Sequence, residues 1–193
     1  MRIGVLAAQG AFAEHMAILR RLEVEALPVR LPEGLDNLDG LIIPGGESTT
    51  ISRLLCAYNL TSEIKKRAQN GLPLFGTCAG MILLASEISS SDGIEPLGMM
   101  SMKVNRNAFG RQRESFEAEL SIPVLGAKPF PGVFIRAPEI EQVNGTTKVL
   151  ARLDDGTIVA ARQGRVLACA FHPELTDDIR FHRYFLDLVA SRK

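Results

Sequence analysis

The sequence predicts an α/β fold, a mostly parallel sheet flanked by helices, followed by an antiparallel extension. Three observations carry this reading. The first half alternates short apolar runs with stretches whose apolar residues recur at helical spacing. Those runs are mostly apolar rather than alternating, as expected of parallel strands covered on both faces by crossover helices. From Met99 to Ala170 the helical stretches give way to strand-like runs parted by turn signals.

In chain order, Arg2 to Ala8 (RIGVLAA) is the first strand, ended by Gln9-Gly10, and Ala11 to Leu22 is the helix after it. Val24 to Val29 is a second strand and Leu38 to Ile43 a third, stopped by Pro44-Gly45-Gly46. Ser48 to Ala57 and Glu63 to Asn70 read as helices, the latter closed by Gly71 as a C-cap. Leu72 to Thr77 (LPLFGT) is the fourth strand, with a helix over Ala79 to Glu87. Ser89 to Gly93 is a polar loop. Asn144-Gly145, Asp154-Asp155-Gly156 and Gln163-Gly164 then imply antiparallel hairpins rather than crossovers. Thr176 to Lys193 is a closing helix with Ile179, Phe185, Leu186 and Val189 on its apolar face.

Composition narrows the functional classes. A chain of 193 residues, 46% hydrophobic, is read as one domain over residues 1–193, without repeat or linker. Lys plus Arg and Asp plus Glu both number 22, so there is no electrostatic footprint for nucleic acid or an anionic membrane. The absence of Trp and the presence of only two Tyr argue against a base-stacking surface. The apolar run Ile3 to Ala8 is too short for a signal-peptide core or a membrane span. Cys56, Cys78 and Cys169 form no CxxC pair and show no disulfide or zinc spacing. The expectation is a cytoplasmic protein with reduced thiols and no metal or cofactor.

Three segments carry chemistry, each at the end of a predicted strand. Gly76-Thr77-Cys78-Ala79-Gly80 has the spacing of a nucleophile elbow with cysteine in the serine position. Small neighbours permit a sharp turn that leaves Cys78 exposed in a strained geometry, at a helix start whose dipole favours a thiolate. The Ala79 amide then points toward an oxyanion formed beside the sulfur. His172-Pro173-Glu174 follows the strand Val166 to Phe171 (VLACAF). Residues two apart in extended chain face the same way, so Glu174 can hold the His172 tautomer while the other ring nitrogen faces Cys78. Pro44-Gly45-Gly46-Glu47-Ser48-Thr49-Thr50 lets backbone approach a ligand closely and supplies free amides for a second oxyanion donor. It lacks the Lys of a phosphate-binding loop, which disfavours nucleotide binding. Taken singly, each segment is equally a buried small residue or a strand-to-helix turn; three together favour a shared site. His15 and His182 fall on predicted helices and are assigned solvated or satisfied roles.

The set of Pro44-Gly45-Gly46, Gly76-Thr77-Cys78-Ala79-Gly80 and His172-Pro173-Glu174 resembles the class I, triad-type glutamine amidotransferases, a flavodoxin-like α/β family. Further segments narrow the resemblance: Ala8-Gln9-Gly10 with Glu14-His15, Gly46-Glu47-Ser48-Thr49-Thr50, Asn107-Ala108-Phe109-Gly110-Arg111-Gln112, Phe134-Ile135-Arg136-Ala137-Pro138 and His172 to Asp178. Over essentially the whole chain they are similar to the glutaminase subunits of pyridoxal 5′-phosphate synthases. The resemblance implies L-glutamine hydrolysis, with Cys78 as nucleophile, His172 as acid–base and Glu174 as its orienter. It implies an oxyanion hole from Gly46 and Ala79, and glutamine contacts from Gly46, Glu47, Ser48, Arg106, Ile135 and Arg136. It also implies a (β/α)8 synthase subunit as the partner that consumes the ammonia. A glutaminase serving another synthase shares the triad but not the Gly46–Thr50 and Phe109–Gln112 segments. A cysteine-elbow redox sensor or chaperone of the same broad fold lacks the His-Pro-Glu partner.

Overall fold

A computed structural model of the chain describes residues 1–89, 93–106 and 115–191. The segment Asn107 to Gln112 and part of the Ser89 to Gly93 loop lie outside the described residues. The first strands form as the apolar runs dictate: β1 (Arg2–Leu6), β2 (Glu25–Val29), β3 (Gly40–Ile43) and β4 (Leu74–Thr77). Helix α1 (Phe12–Arg21) connects β1 to β2, while α2 (Ser48–Ala57) and α3 (Leu60–Gln69) connect β3 to β4. Strand β12 (Val166–Cys169) completes a parallel core in the spatial order β2-β1-β3-β4-β12. Strands β1, β3 and β4 are buried almost throughout, whereas β2 is half-exposed at the sheet edge. Its edge position tolerates Pro28, which has no N–H to give to an outer neighbour.

The sheet then turns antiparallel. Beyond β12 come β11 (Ile158–Gln163), β9 (Glu139–Val143) and β6 (Met100–Asn105) and, at the far edge, β5 (Ala85–Ile88), which pairs with β6 in parallel; among the described residues β10 (Lys148–Arg152) pairs only with β11. A separate two-stranded sheet, β7 (Ser115–Leu120) with β8 (Phe130–Ile135), lies beside them. The turns at Asp154–Gly156 and Gln163-Gly164 join true antiparallel neighbours, β10 with β11 and β11 with β12. The Asn144-Gly145 turn does not: β9 pairs with β6 and β11, not with β10.

Three helix boundaries differ from the sequence expectation, the first being the start of α3, at Leu60 rather than Glu63. Helix α4 ends at Leu84 and the chain continues as β5, so the helix covers only the first six residues of the stretch expected over Ala79 to Glu87. All six residues of α4 are buried, which removes the one-sided periodicity that marks a helix end. The partner that makes Ala85–Ile88 a strand is β6, remote in sequence. The closing helix α5 spans Arg180–Ala190 rather than starting at Thr176. Upstream, Pro173–Leu175 form a 3-10 turn, the Asp178 N–H donates to Thr176 Oγ1 at 3.3 Å, and the Arg180 N–H donates to Asp178 Oδ1 at 3.0 Å. Such short side-chain bonds to backbone compete with helix. Phe185, Leu186 and Val189 are buried as expected, together with Phe181, His182 and Leu188, while Ile179 is the half-buried N-cap. Phe75, Phe171, Phe181 and Phe185 lie fully buried where α5 packs on the sheet, and the Phe75 ring sits 5.4 Å from Phe185 and 5.6 Å from Phe181.

Candidate active site

Parallel α/β sheets gather ligands at the carboxyl ends of their strands, where loops emerge around a crevice. Here β1 ends near Gln9, β3 runs into Pro44-Gly45-Gly46, β4 into Cys78, and β12 toward His172. Because β3, β4 and β12 are consecutive neighbours, the three motif loops lie side by side.

The turn at Cys78 is tight. Cys78 has φ 49° and ψ −106°, a left-handed conformation that a non-glycine residue adopts at a cost of about 1–3 kcal/mol. Its N–H donates to the Cys169 carbonyl at 2.8 Å, which pins the residue at the end of the β4–β12 ladder. The flanking glycines are required by contact: a methyl group on Gly80 would lie 1.9 Å from the Ile43 carbonyl oxygen, and one on Gly76 would lie 2.6 Å from the Gly80 backbone. The strained geometry is as the elbow spacing predicts, but the exposure is not. Cys78 is only 7% exposed, because α4, the Gly45 loop and the end of β8 close around it. Its sulfur lies 3.8 Å from the Ile135 carbonyl oxygen.

His172 reaches the sulfur from β12. Its N–H donates to the Val133 carbonyl at 2.8 Å, and its Nδ1 lies 2.6 Å from Glu174 Oε1. That leaves Nε2 for the Cys78 side of the ring, and both residues line the same cavity. Burial disfavours the charged imidazolium, but the bonds to Cys78 and Glu174 and their attraction outweigh it and raise the His172 pKa to about 10. Gly45 is pressed against this pair: a methyl group there would lie 2.5 Å from His172 Cε1 and 3.2 Å from Cys78 Cβ.

A cavity of about 500 Å³ opens in front of the sulfur. Of the residues expected to touch a ligand, Gly46, Glu47, Ser48, Cys78, Ala79, Arg106, Ile135, Arg136 and His172 all line it, and Glu174 stands behind the imidazole. Ala79 opens α4, so its N–H has no intrahelical acceptor. The Glu47 carboxylate caps α2, accepting from the Thr49 and Thr50 N–H groups at 3.0 and 2.6 Å. The Thr50 hydroxyl bond, ahead of these backbone bonds, takes its pKa down to about 2. Arg106 lies 3.7 Å from Glu47 Oε1 and is mostly covered, whereas Arg136 stands exposed at the rim with φ 42°.

Sequence reasoning assigned no ligand role to Gln9 or Ile82, which also line the cavity. Gln9 Oε1 accepts the Glu47 N–H at 2.7 Å and so ties the end of β1 to the Gly46 loop. Thr77 is likewise tied in, its Oγ1 accepting the Gly45 N–H at 3.1 Å. Neither side chain has a local signal beyond its position at a strand end. Of the solvated or satisfied roles expected of His15 and His182, full burial rules out the first, and both ring nitrogens of His15 are hydrogen-bonded. Among the described residues no group of His, Cys, Asp and Glu is arranged to hold a metal ion, and no helix is long and apolar enough to cross a membrane.

A cysteine elbow and a histidine–carboxylate pair, with a glycine loop beside them at adjacent strand ends, define an amidotransferase-type site on a flavodoxin-like sheet. The SNO glutamine amidotransferase family model matches residues 5–191, and the chain belongs to that family. It is 58% identical to the pyridoxal 5′-phosphate synthase subunit PdxT of Herpetosiphon aurantiacus, over 97% of this chain and 100% of that one. It is 59% identical to the subunit of the same name from Pelotomaculum thermopropionicum, over 97% of this chain and 94% of that one. A crystal structure of a glutamine amidotransferase superposes with a TM-score of 0.92 at 52% identity, covering 97% of this chain and 98% of the other.

Proposed function

We propose that this chain, as one glutaminase domain over residues 1–193, hydrolyses L-glutamine to glutamate and ammonia as the glutaminase subunit of a cytoplasmic pyridoxal 5′-phosphate synthase. The observation that carries the reading is His172, which lines the cavity beside Cys78 and lies 2.6 Å from Glu174 Oε1. The raised His172 pKa supports an imidazolium facing the sulfur at neutral pH, which is the proton donor that amide cleavage needs.

In this reading the Cys78 sulfur attacks the side-chain carboxamide carbon, and the carbonyl oxygen takes up the negative charge. The Gly46 and Ala79 N–H groups stabilise that oxyanion; one such donor is worth roughly 10²–10³ in kcat. His172 gives its proton to the departing nitrogen, the C–N bond breaks, and a γ-glutamyl thioester remains on Cys78. Water then loses a proton to His172 and attacks the thioester, releasing glutamate and the thiol. Glu47 and Ser48 lie along the bound glutamine with Ile135, while the Arg106 and Arg136 guanidiniums hold its carboxylate end. No cofactor takes part.

Ammonia becomes ammonium in water and loses its nucleophilicity, so the acceptor chemistry belongs on a partner, a (β/α)8 synthase subunit docked over the cavity. The Gly45 carbonyl accepts the Ala11 N–H at 3.2 Å. Any turn of the Gly45–Gly46 peptide on docking must exchange that bond, at a net cost of about 1 kcal/mol. Ammonia release measured with and without the synthase subunit tests the assignment, with at least tenfold stimulation expected. Full activity in the isolated chain, unchanged by the synthase subunit, refutes the partnership. A glutamine-analogue electrophile should add one label to the Cys78 peptide; a label on Cys56 or Cys169 instead refutes the mechanism.

A further inference from the structure

Behind the carboxylate that orients His172 lies a line of buried groups that the hydrolytic steps do not use. Glu174 Oε2 is buried without a hydrogen-bond partner. His15 Nε2 stands 3.4 Å from it and 3.2 Å from Thr77 Oγ1. The other ring nitrogen, His15 Nδ1, is 2.9 Å from His182 Nε2, and His182 Nδ1 is the second buried orphan. The two orphans therefore mark the two ends of one line, Glu174–His15–His182.

Burial, with His182 and His172 nearby, keeps the His15 pKa well below its usual value, and burial takes that of His182 down to about 3. Both rings are thus neutral, and two proton arrangements satisfy the bond between them. If the protons sit on His15 Nδ1 and His182 Nδ1, the line ends in an unpaired buried N–H at one end. At the other end it sets a nitrogen lone pair against a carboxylate oxygen. If they sit on His15 Nε2 and His182 Nε2, the first end carries only an unpaired lone pair, and an N–H faces the carboxylate. Orphaned buried N–H groups are the rarer and costlier defect, and a donor facing an anion is favourable. Both ends select the second arrangement.

We infer that His15 is a positioning residue for the acid–base pair: its Nε2–H, with the tautomer fixed by His182, holds Glu174 Oε2 so that Oε1 stays on His172 Nδ1. The inference rests on Cys78, His172 and Glu174 acting as the triad. The same N–H is shared with Thr77 Oγ1, which also accepts the Gly45 N–H, so one ring ties the carboxylate to the loop expected to supply an oxyanion donor. Around His15 the remaining neighbours are the Phe75 edge, with ring centroids 6.2 Å apart, and the charge of His172.

The test compares substitutions that differ in where they place an N–H, each assayed for glutamine hydrolysis in the complex with the synthase subunit. His15→Gln puts an amide N–H near the Nε2 position, whereas His15→Asn puts it near Nδ1, toward His182. His15→Phe removes it while keeping ring volume. The expected result is a fall in kcat of about ten- to hundredfold for Phe and Asn, the worth of one hydrogen bond to a charged group, with KM unchanged and most activity retained by Gln. In a Glu174→Gln background, His15→Phe should cost little more, since it acts through that carboxylate. Equal kcat for Gln and Asn, or a full additive loss on top of Glu174→Gln, overturns the inference, and this comparison stands even where the Phe variant fails to fold. Persistent activity in Cys78→Ala is a separate outcome that refutes the triad itself.

Discussion

The two sides of the His172 imidazole are built from different materials. Behind it, Glu174, His15, Thr77 and His182 are buried and drawn from α1, β4, the Pro173 turn and α5, with His15 hydrogen-bonded to Thr77 and His182 and standing 3.4 Å from Glu174 Oε2. In front, the cavity wall is open, with Glu47 half-exposed, Arg136 exposed at the rim, and Ile135 40% exposed. The buried side comes from strand ends and helix interiors whose positions the core fixes. The open side comes largely from the end of β6, the end of β8 and the first turn of α2. On the proposed mechanism, proton transfer falls to the buried side and substrate binding to the open one. Substitutions behind the ring should move kcat, and those in front should move KM.

The sharpest way to break that division is at the sulfur. Cys78→Ala should abolish glutamate production while Cys56→Ala keeps most of it, measured by ammonia release in the complex. Next in size, His172→Asn should cost more than Glu174→Gln, because it removes the proton carrier rather than its orienter; loss of such a group is worth about 10²–10⁴ in rate. Near-wild-type activity in both variants would remove the triad. Gly45→Ala pushes a methyl into His172 and should act like a substitution behind the ring, lowering kcat with little change in KM, although it lies in the front loop.

Two smaller effects sharpen the comparison. Arg136→Ala should raise the glutamine KM and leave kcat nearly unchanged; an unmoved KM would place this side chain outside the substrate's reach. The buried side should also show in stability against pH. His182 has its pKa lowered from the ordinary 6.5 to about 3, so the unfolded chain binds a proton there that the folded chain refuses. The stabilisation is complete above about pH 6.5 and is lost progressively as pH falls toward 3. Thermal unfolding of His182→Gln should therefore decline less than wild type between about pH 6.5 and 5. Parallel declines would show that His182 is not the group responsible.

The motifs were legible because their chemistry is local. A cysteine between glycines after an apolar run, a Pro-Gly-Gly stop and a His-Pro-Glu step each impose a backbone shape within a few residues, whatever surrounds them. The alternation of apolar runs with helical spacing likewise determined the parallel core, since each strand–helix unit shows its own period. Tertiary structure decided what depends on partners far along the chain. It turned Ala85–Ile88 into a strand because β6 was there to pair with it, and it placed β9 beside β6 rather than β10. It covered Cys78 with loops from other strands. It also brought His15 and His182, 167 positions apart, to 2.9 Å from each other. A histidine on a helix carries no local mark of what will be packed against it, because desolvation and tautomer are properties of the assembled interior.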